Sequence, residues 1–427
     1  MSYRWSGKAA RIFRALWIPD YVSIVTAPHS EPIPMASAVS LGFCPQRLTR
    51  ISAALQTEIA AGRLPGAVLA IARHGKLAFF EAFGYLDKPA DVPMPKHAVF
   101  SIASMTKPLV SVAALALYEE GRLLVNEPVG KYLPQLAHMR VAAPGGNVTA
   151  SVPARRQVTI QDLMRHTAGL TYGNRGSTEF HQRYLSSSDE VSQQMSGDEF
   201  LQKLGQLPLH FQPGSAWDYG FGFDVLGLAI EAVTGQSLAA FMSERLFRPL
   251  AMVDTGFVVP PANVHRYARG LACDPLTGKP QAMRDGTRPN KFDCGGGCGV
   301  STAADYLRFA QMLLNGGVLD GTRILGRKTV EFMTADHIGP EVDTTRLRDY
   351  PNINGYGFGL GVAVRRQTGI AGMASSAGEY HWAGSTGPYF WVDPAEDLAV
   401  VFMAHAPGPL RFYYRQLLHA LVLQALE

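Results

Sequence analysis

Cysteine is scarce in this 427-residue chain, which has only Cys44, Cys273, Cys294 and Cys298. Four are too few for a disulfide framework, and a chain of this length can bury a large core without one. Cys294 and Cys298, three glycines apart, could bridge or ligate a metal. No His or Cys cluster at ligand spacing stands with them, so no metal or other cofactor is expected; they are read as small residues lining a tight strand or turn. Net charge is small, with 39 Lys and Arg against 35 Asp and Glu. No basic stripe runs along the chain, which argues against nucleic acid as a partner. Long apolar runs are missing too, so no stable membrane insertion is expected. Near the N-terminus, Arg4, Lys8, Arg11 and Arg14 surround a short apolar run, Ala15-Leu16-Trp17-Ile18. Pro19 and Asp20 stop it before signal-peptide length, and no clear small-x-small site follows. Residues 1–45 are read as an extension. The cytoplasm is the expected compartment, with periplasm and secretion left open. There is no low-complexity run and no internal repeat, so the 43 glycines and 28 prolines indicate loops rather than disorder.

What is present is an ordinary globular composition, 47% hydrophobic. Helical spacing of Leu48, Ile51, Leu55 and Ile59 predicts a first helix. Residues 67–72 and 77–85 read as two strands of a hairpin around Arg73-His74-Gly75-Lys76. An apolar run from Pro108 to Gly121 predicts a buried helix. Residues 142–153 read as loop. Thr159-Ile160-Gln161-Asp162 resembles a capping box opening a helix that runs towards Gly169. His166 is read as a last-turn histidine helped by the helix dipole rather than as a catalytic one. Residues 173–197 read as a polar surface loop or lid, and helices are predicted over 198–204, 226–233 and 238–246. After a helix over 303–315, strand signals return at 356–364, 371–380, 389–392 and 398–405, and a helix over 410–426 closes the chain. The predicted fold class is therefore α/β of the α+β type. An antiparallel sheet flanked by helices is built from both chain ends (46–125 and 290–427), with a mostly helical domain, 126–289, inserted between them.

The chemistry centres on Ser104-Met105-Thr106-Lys107, the one S-x-x-K in the chain. Three residues apart at a helix start, Ser104 and Lys107 share a face. A serine hydroxyl needs a neighbouring base, and lysine can serve only when burial and the positive helix end lower its pKa. The alternative is a capping Ser104 beside a solvated Lys107. Two later stretches can complete the site. One is the aromatic loop around Trp217-Asp218-Tyr219-Gly220-Phe221, whose Tyr219 can act as general acid or base. The other is His381-Trp382-Ala383-Gly384-Ser385, where small residues on a sheet edge let a substrate carbonyl reach backbone N–H groups. A Ser-His-Asp elbow is not available, because Ala383-Gly384-Ser385-Thr386-Gly387 lacks its first glycine.

Several stretches carry a resemblance from about residue 46 to the C-terminus. They include Pro65-Gly66-Ala67, the S-x-x-K, Leu163-Met164-Arg165-His166-Thr167-Ala168-Gly169-Leu170, Trp217-Asp218-Tyr219, Pro249-Leu250-Ala251-Met252, 295–305 and Trp382-Ala383-Gly384. In them the chain resembles the serine hydrolases that include class C β-lactamases, D-Ala-D-Ala carboxypeptidases and family VIII carboxylesterases. The resemblance implies a class C β-lactamase-like fold. It implies Ser104 as acyl nucleophile, Lys107 as base, Tyr219 as proton relay, and an oxyanion hole from the N–H groups of Ser104 and Ser385. Two departures point to the esterases. Tyr219-Gly220-Phe221 stands for Y-x-N, and Trp382-Ala383-Gly384 stands where a cation would bind a carboxylate. The expected substrate is a small neutral ester in a pocket formed by Trp382, Ala383, Gly384, Phe221 and Tyr172, with weak β-lactam hydrolysis as a side activity. A β-lactamase or carboxypeptidase, an acyltransferase, and a penicillin-binding sensor that does not turn over are the other readings. No oligomeric state follows from the sequence.

Overall fold

The computed structural model describes residues 33–143, 150–348, 350 and 353–427. The basic and apolar N-terminal stretch discussed above lies outside them. An eight-stranded antiparallel sheet forms the frame. Its strands run in the order Tyr356–Phe358, Ala363–Arg365, Tyr380–Ala383, Tyr389–Asp393, Leu398–Ala404, Gly66–Arg73, Lys76–Asp87 and Val92–Pro93. The two chain ends meet at its centre, where Ala67 pairs with Ala404 and Arg73 with Leu398. The sheet is mixed in origin and antiparallel throughout, with helices on both faces.

Alternation along the strands explains why both faces are covered. Val68, Ala70 and Ala72 join one core, and Ala67, Leu69 and Ile71 join the other. Such a strand reads as continuously apolar because neither side meets water. The second core is capped by helices Pro45–Ala60 and Leu410–Leu423, which pack on each other. It also takes in Leu41 and Phe43, so the last part of the expected N-terminal extension belongs to the packed structure. Behind the first face lie Ala303–Leu314 and Thr106–Glu119. The latter is mostly apolar and buried on every face from Thr106 to Leu117, Lys107 and Ser111 included.

Several local expectations need correction. The predicted strand at 356–364 is two strands folded back on each other, and 371–380 is turn except for its last residue. Residues 142–153 are flanked by a small ribbon pairing Arg140–Ala142 with Ser151–Pro153. The segment at 173–197 is not simply a polar surface loop. It holds the short helices Glu179–Arg183 and Ser188–Gln194, and Phe180 and Val191 are buried beneath them. The capping box at Thr159 is present, with both reciprocal bonds made, but its helix ends at Met164. Among the described residues no single helix is long and apolar enough to cross a membrane.

Candidate active site

Ser104 follows directly on a short strand, Phe100–Ala103, paired with Gly299–Ser301. The residue before it, Ala103, has φ +43°. A left-handed non-glycine residue costs on the order of 1–3 kcal/mol and persists only where its surroundings over-determine it. They do so here. Thr106 Oγ1 donates to the Ala103 carbonyl at 2.6 Å and accepts from Gly299 N–H at 2.9 Å. Tyr306 Oη donates to the Met105 carbonyl at 2.8 Å. His405, buried and held near pKa 4 chiefly by desolvation, is neutral. Its Nε2 accepts from Ser101 N–H at 3.0 Å, so Nδ1 carries the proton and donates to the Ala268 carbonyl. The turn that presents Ser104 is thus pinned from several sides.

Lys107 lies one helical step further on, with no exposed surface, which overturns the solvated alternative. Its Nζ stands 3.2 Å from Ser104 Oγ, 3.5 Å from Tyr172 Oη and 2.5 Å from the Gly296 carbonyl. Desolvation pulls the amine down to about 8, opposed by the charges of Asp224, Tyr350 and Asp189. Tyr219 lays its ring 4.5 Å from Nζ. Burial pushes the Tyr219 hydroxyl well above its usual pKa, and neighbouring Ser104 and Trp382 oppose the rise. The hydroxyl makes no hydrogen bond of normal geometry to a protein group. It therefore holds its proton at neutral pH and is free to engage a bound molecule.

The end of the interior strand Tyr380–Ala383, expected from the sequence to be a sheet edge, completes the wall. Gly384 packs so tightly that a Cβ there would come within 2.5 Å of the Ile102 carbonyl, and this closeness brings Ser385 to the mouth of the site. Neither Ser104 nor Ser385 spends its N–H on a backbone carbonyl among the described residues. A cavity of about 490 Å³ opens between them, with Tyr172, Tyr219, Ala383 and Gly384 on its walls.

Phe221 and Trp382 do not line the cavity. Phe221 is fully buried and meets Tyr172 edge-on at 4.6 Å. Trp382 lies behind Tyr219 and Tyr350, with ring centroids 5.5 and 5.7 Å away. Its large indole packs into the core behind the site, where desolvation favours it, and the small Ala383 and Gly384 stand at the opening. His166 is corrected as well. It sits beyond the helix end at φ +59°, packed against Tyr219 and Phe223, and burial keeps it neutral.

Three features were not read from the sequence. Tyr350 lines the cavity. Arg411 and Arg415 line the cavity, as do Arg175, paired with Asp218 at 3.5 Å, and Asp189, so loss of a cation at the Trp382 position does not leave the pocket apolar. Arg415 is only 6% exposed, and its Nη2 is 3.5 Å from the Gly384 carbonyl. Desolvation lowers it to about 10, so it stays charged at neutral pH, and it pairs with no carboxylate among the described residues. Finally, Cys294 and Cys298 are joined by a disulfide, not left as unpaired turn residues. The turn brings their Cα atoms to 5.2 Å, inside the range a disulfide needs.

A family model described as "Beta-lactamase" matches residues 51–424. Protein Rv1367c of Mycobacterium tuberculosis is 34% identical over 363 residues, covering 81% of this chain and 87% of the relative. Esterase EstB of Burkholderia gladioli is 32% identical over 400 residues, covering 87% and 95%. Among solved structures, EstCE1, a hydrolase with promiscuous acyltransferase activity, superposes with a TM-score of 0.74. It is 26% identical and covers 88% of this chain and 98% of its own.

Proposed function

We propose, from the premise that this chain belongs to the Beta-lactamase family and is a serine hydrolase of carboxylic esters, that it opens small esters through an acyl-enzyme on Ser104. The observation that carries the reading is the buried Lys107 amine, 3.2 Å from Ser104 Oγ and lowered to about 8. At pH 8 about half of such amines are neutral, against a negligible fraction for an exposed lysine. Neutral Lys107 takes the proton as Ser104 Oγ bonds to the ester carbonyl carbon. The resulting oxyanion lies between the N–H groups of Ser104 and Ser385. As the C–O bond to the alcohol breaks, the proton reaches the departing oxygen by way of the Tyr219 hydroxyl. Water then repeats the sequence on the acyl carbon, and Ser104 recovers its proton.

Two arginines refine the substrate. Arg411 and Arg415 face the cavity beside Ser385, so esters carrying a carboxylate are accommodated as well as neutral ones. A second reading, acyl transfer to an alcohol, is supported by the likeness to EstCE1 and by a cavity roomy enough for acyl group and acceptor together.

Side-by-side hydrolysis of p-nitrophenyl butyrate and a chromogenic cephalosporin tests the proposal, with Ser104→Ala as control. Fast ester turnover and slow lactam turnover, both lost in the variant, are expected. Ester turnover retained by the variant, or lactam turnover above ester turnover in the parent, would overturn it. Repeating the assay with added alcohol separates hydrolysis from transfer through the appearance of a new ester.

A further inference from the structure

The contacts of Lys107 close into a ring that runs through the disulfide-bridged loop. The Gly296 carbonyl accepts from Lys107 Nζ, and Gly296 N–H donates to Asp224 Oδ1 at 3.0 Å. Asp224 Oδ2 accepts from Ser188 Oγ at 2.7 Å, Ser188 Oγ shares a hydrogen bond with Tyr172 Oη at 2.8 Å, and Tyr172 Oη returns to Lys107 Nζ. Gly296 is the weak member. It is the middle of Cys294-Gly295-Gly296-Gly297-Cys298, and three successive glycines form the least restrained backbone a chain can have. No side chain can replace the restraint. A Cβ on Gly296 would lie 2.4 Å from Asp224 Oδ2 and from Ser188 Oγ, and one on Gly295 would lie 2.3 Å from the Phe223 carbonyl. The bridge between Cys294 and Cys298 closes this loop covalently, alongside the hydrogen bonds that Gly297 N–H and Cys298 N–H donate to the Cys294 carbonyl at 3.3 and 3.2 Å.

We propose that the Cys294–Cys298 bridge is a positioning element for Lys107, making turnover depend on the oxidation state of this cysteine pair. The inference rests on Ser104 and Lys107 acting as nucleophile and base. In the reducing direction a dithiol attacks one sulfur and the S–S bond breaks. Two electrons and two protons pass to the pair, giving two thiols, and the dithiol closes to its own disulfide. The freed thiols have partners waiting. Ser192 Oγ lies 3.2 Å from Cys298 Sγ, and Asp189 has a carboxylate oxygen within 4.8 Å of both sulfurs. That carboxylate has an oxygen, Oδ1, which is buried without a hydrogen bond. Once unbridged, the glycine loop no longer holds its carbonyl on Nζ, and water from the adjoining cavity, which Gly296 and Gly297 line, reaches the amine. Relief of desolvation, the largest cause of the lowered pKa, moves Lys107 back towards an ordinary lysine.

The test uses the full chain, purified without reductant and then divided. Thiol titration after denaturation should give two thiols, Cys44 and Cys273, before dithiothreitol and all four after it. In both samples p-nitrophenyl butyrate kinetics are followed across pH, together with the rate at which a fluorophosphonate labels Ser104. Reduction should lower kcat by about tenfold or more while KM changes by less than about twofold. It should raise the acid-limb midpoint, slow the labelling, and be reversed by reoxidation. Cys294→Ser/Cys298→Ser should match the reduced form whatever the redox state. If the native bridge resists the dithiol, this variant decides; if the variant fails to fold, reversible reduction of the parent decides. Unchanged kcat and midpoint without the bridge would overturn the proposal. So would four thiols in protein never exposed to reductant, or stoichiometric zinc held by the two cysteines. Because labelling needs no ester, a protein that labels in a redox-dependent way but turns over no ester refutes the substrate reading and leaves this one standing.

Discussion

In the proposed mechanism Lys107 can work as a base only to the extent that its surroundings refuse the ammonium form. Tyr172, Tyr219 and the Gly296 loop shut water out, and the amine falls to about 8. The neutral form is the active one, so kcat/KM should rise with pH and level off above a midpoint near 8; a flat profile between pH 6 and 9 would contradict this. Lys107→Met keeps the length and apolar bulk of the stem. It should lower kcat by about 10²–10⁴-fold without lowering the melting temperature, as steady-state assays and calorimetry would check. Arg415 makes a different prediction. Arg415→Met should raise KM for mono-p-nitrophenyl succinate and leave p-nitrophenyl butyrate nearly unchanged; equal effects on both would remove the anionic-ester reading. At this scale the S-x-x-K was legible because its chemistry is local, three residues on one helical turn. Arg411 and Arg415 were not, since in sequence they look like the solvated face of the last helix. Trp382 misled for the converse reason: an aromatic next to the expected oxyanion donor looked like a pocket wall, but its indole packs behind Tyr219, against Tyr350 and Phe358.

Among the elements, the strand end that carries Ala383, Gly384 and Ser385 depends on a buried charge cluster. Arg365 and Glu379 have fully buried side chains and meet at 3.1 Å, with Tyr356 Oη donating to Glu379. Desolvation raises the Glu379 carboxyl to about 7 despite its partner. Removing one member of such a pair strands the other charge, at a cost of about 3–5 kcal/mol. Arg365→Met should lower stability in urea by that order, and a loss below about 1 kcal/mol would show that Glu379 simply takes up a proton. Residues 356–364 were misread for a local reason. Its apolar residues look like one strand, and nothing local reveals that Gly361, at φ +92°, lets the chain double back. The first hairpin was legible because its turn, Arg73 to Lys76, announces itself within four residues. The long buried helix was legible for the same kind of reason, through its unbroken apolar run.

For the whole molecule, the joining of both chain ends in one sheet sets what can be removed. Leu410, Tyr414, Leu418 and Val422 of the last helix cover the second core, and that helix also presents Arg411 and Arg415 to the cavity. Burying each such side chain contributes about 1.5–3 kcal/mol, so the four together rival the 5–15 kcal/mol that holds a typical domain folded. A chain ending at residue 409 should therefore be insoluble or unfolded by circular dichroism; a soluble fragment with native ellipticity would contradict this assignment. That the sheet draws on both ends was legible, because apolar strand patterns cluster there and helical ones between. The disulfide was not, since a close cysteine pair flanking three glycines reads as a tight turn until the fold sets the distance between them. The most direct measurement of the central claim is to mix the enzyme with p-nitrophenyl butyrate, quench in acid within milliseconds to seconds, and map the adduct by mass spectrometry. A butyryl group on the peptide containing Ser104, formed in the parent and missing from Ser104→Ala, is the expected result. Turnover with no adduct on Ser104, or with the acyl group on another residue, would contradict the account.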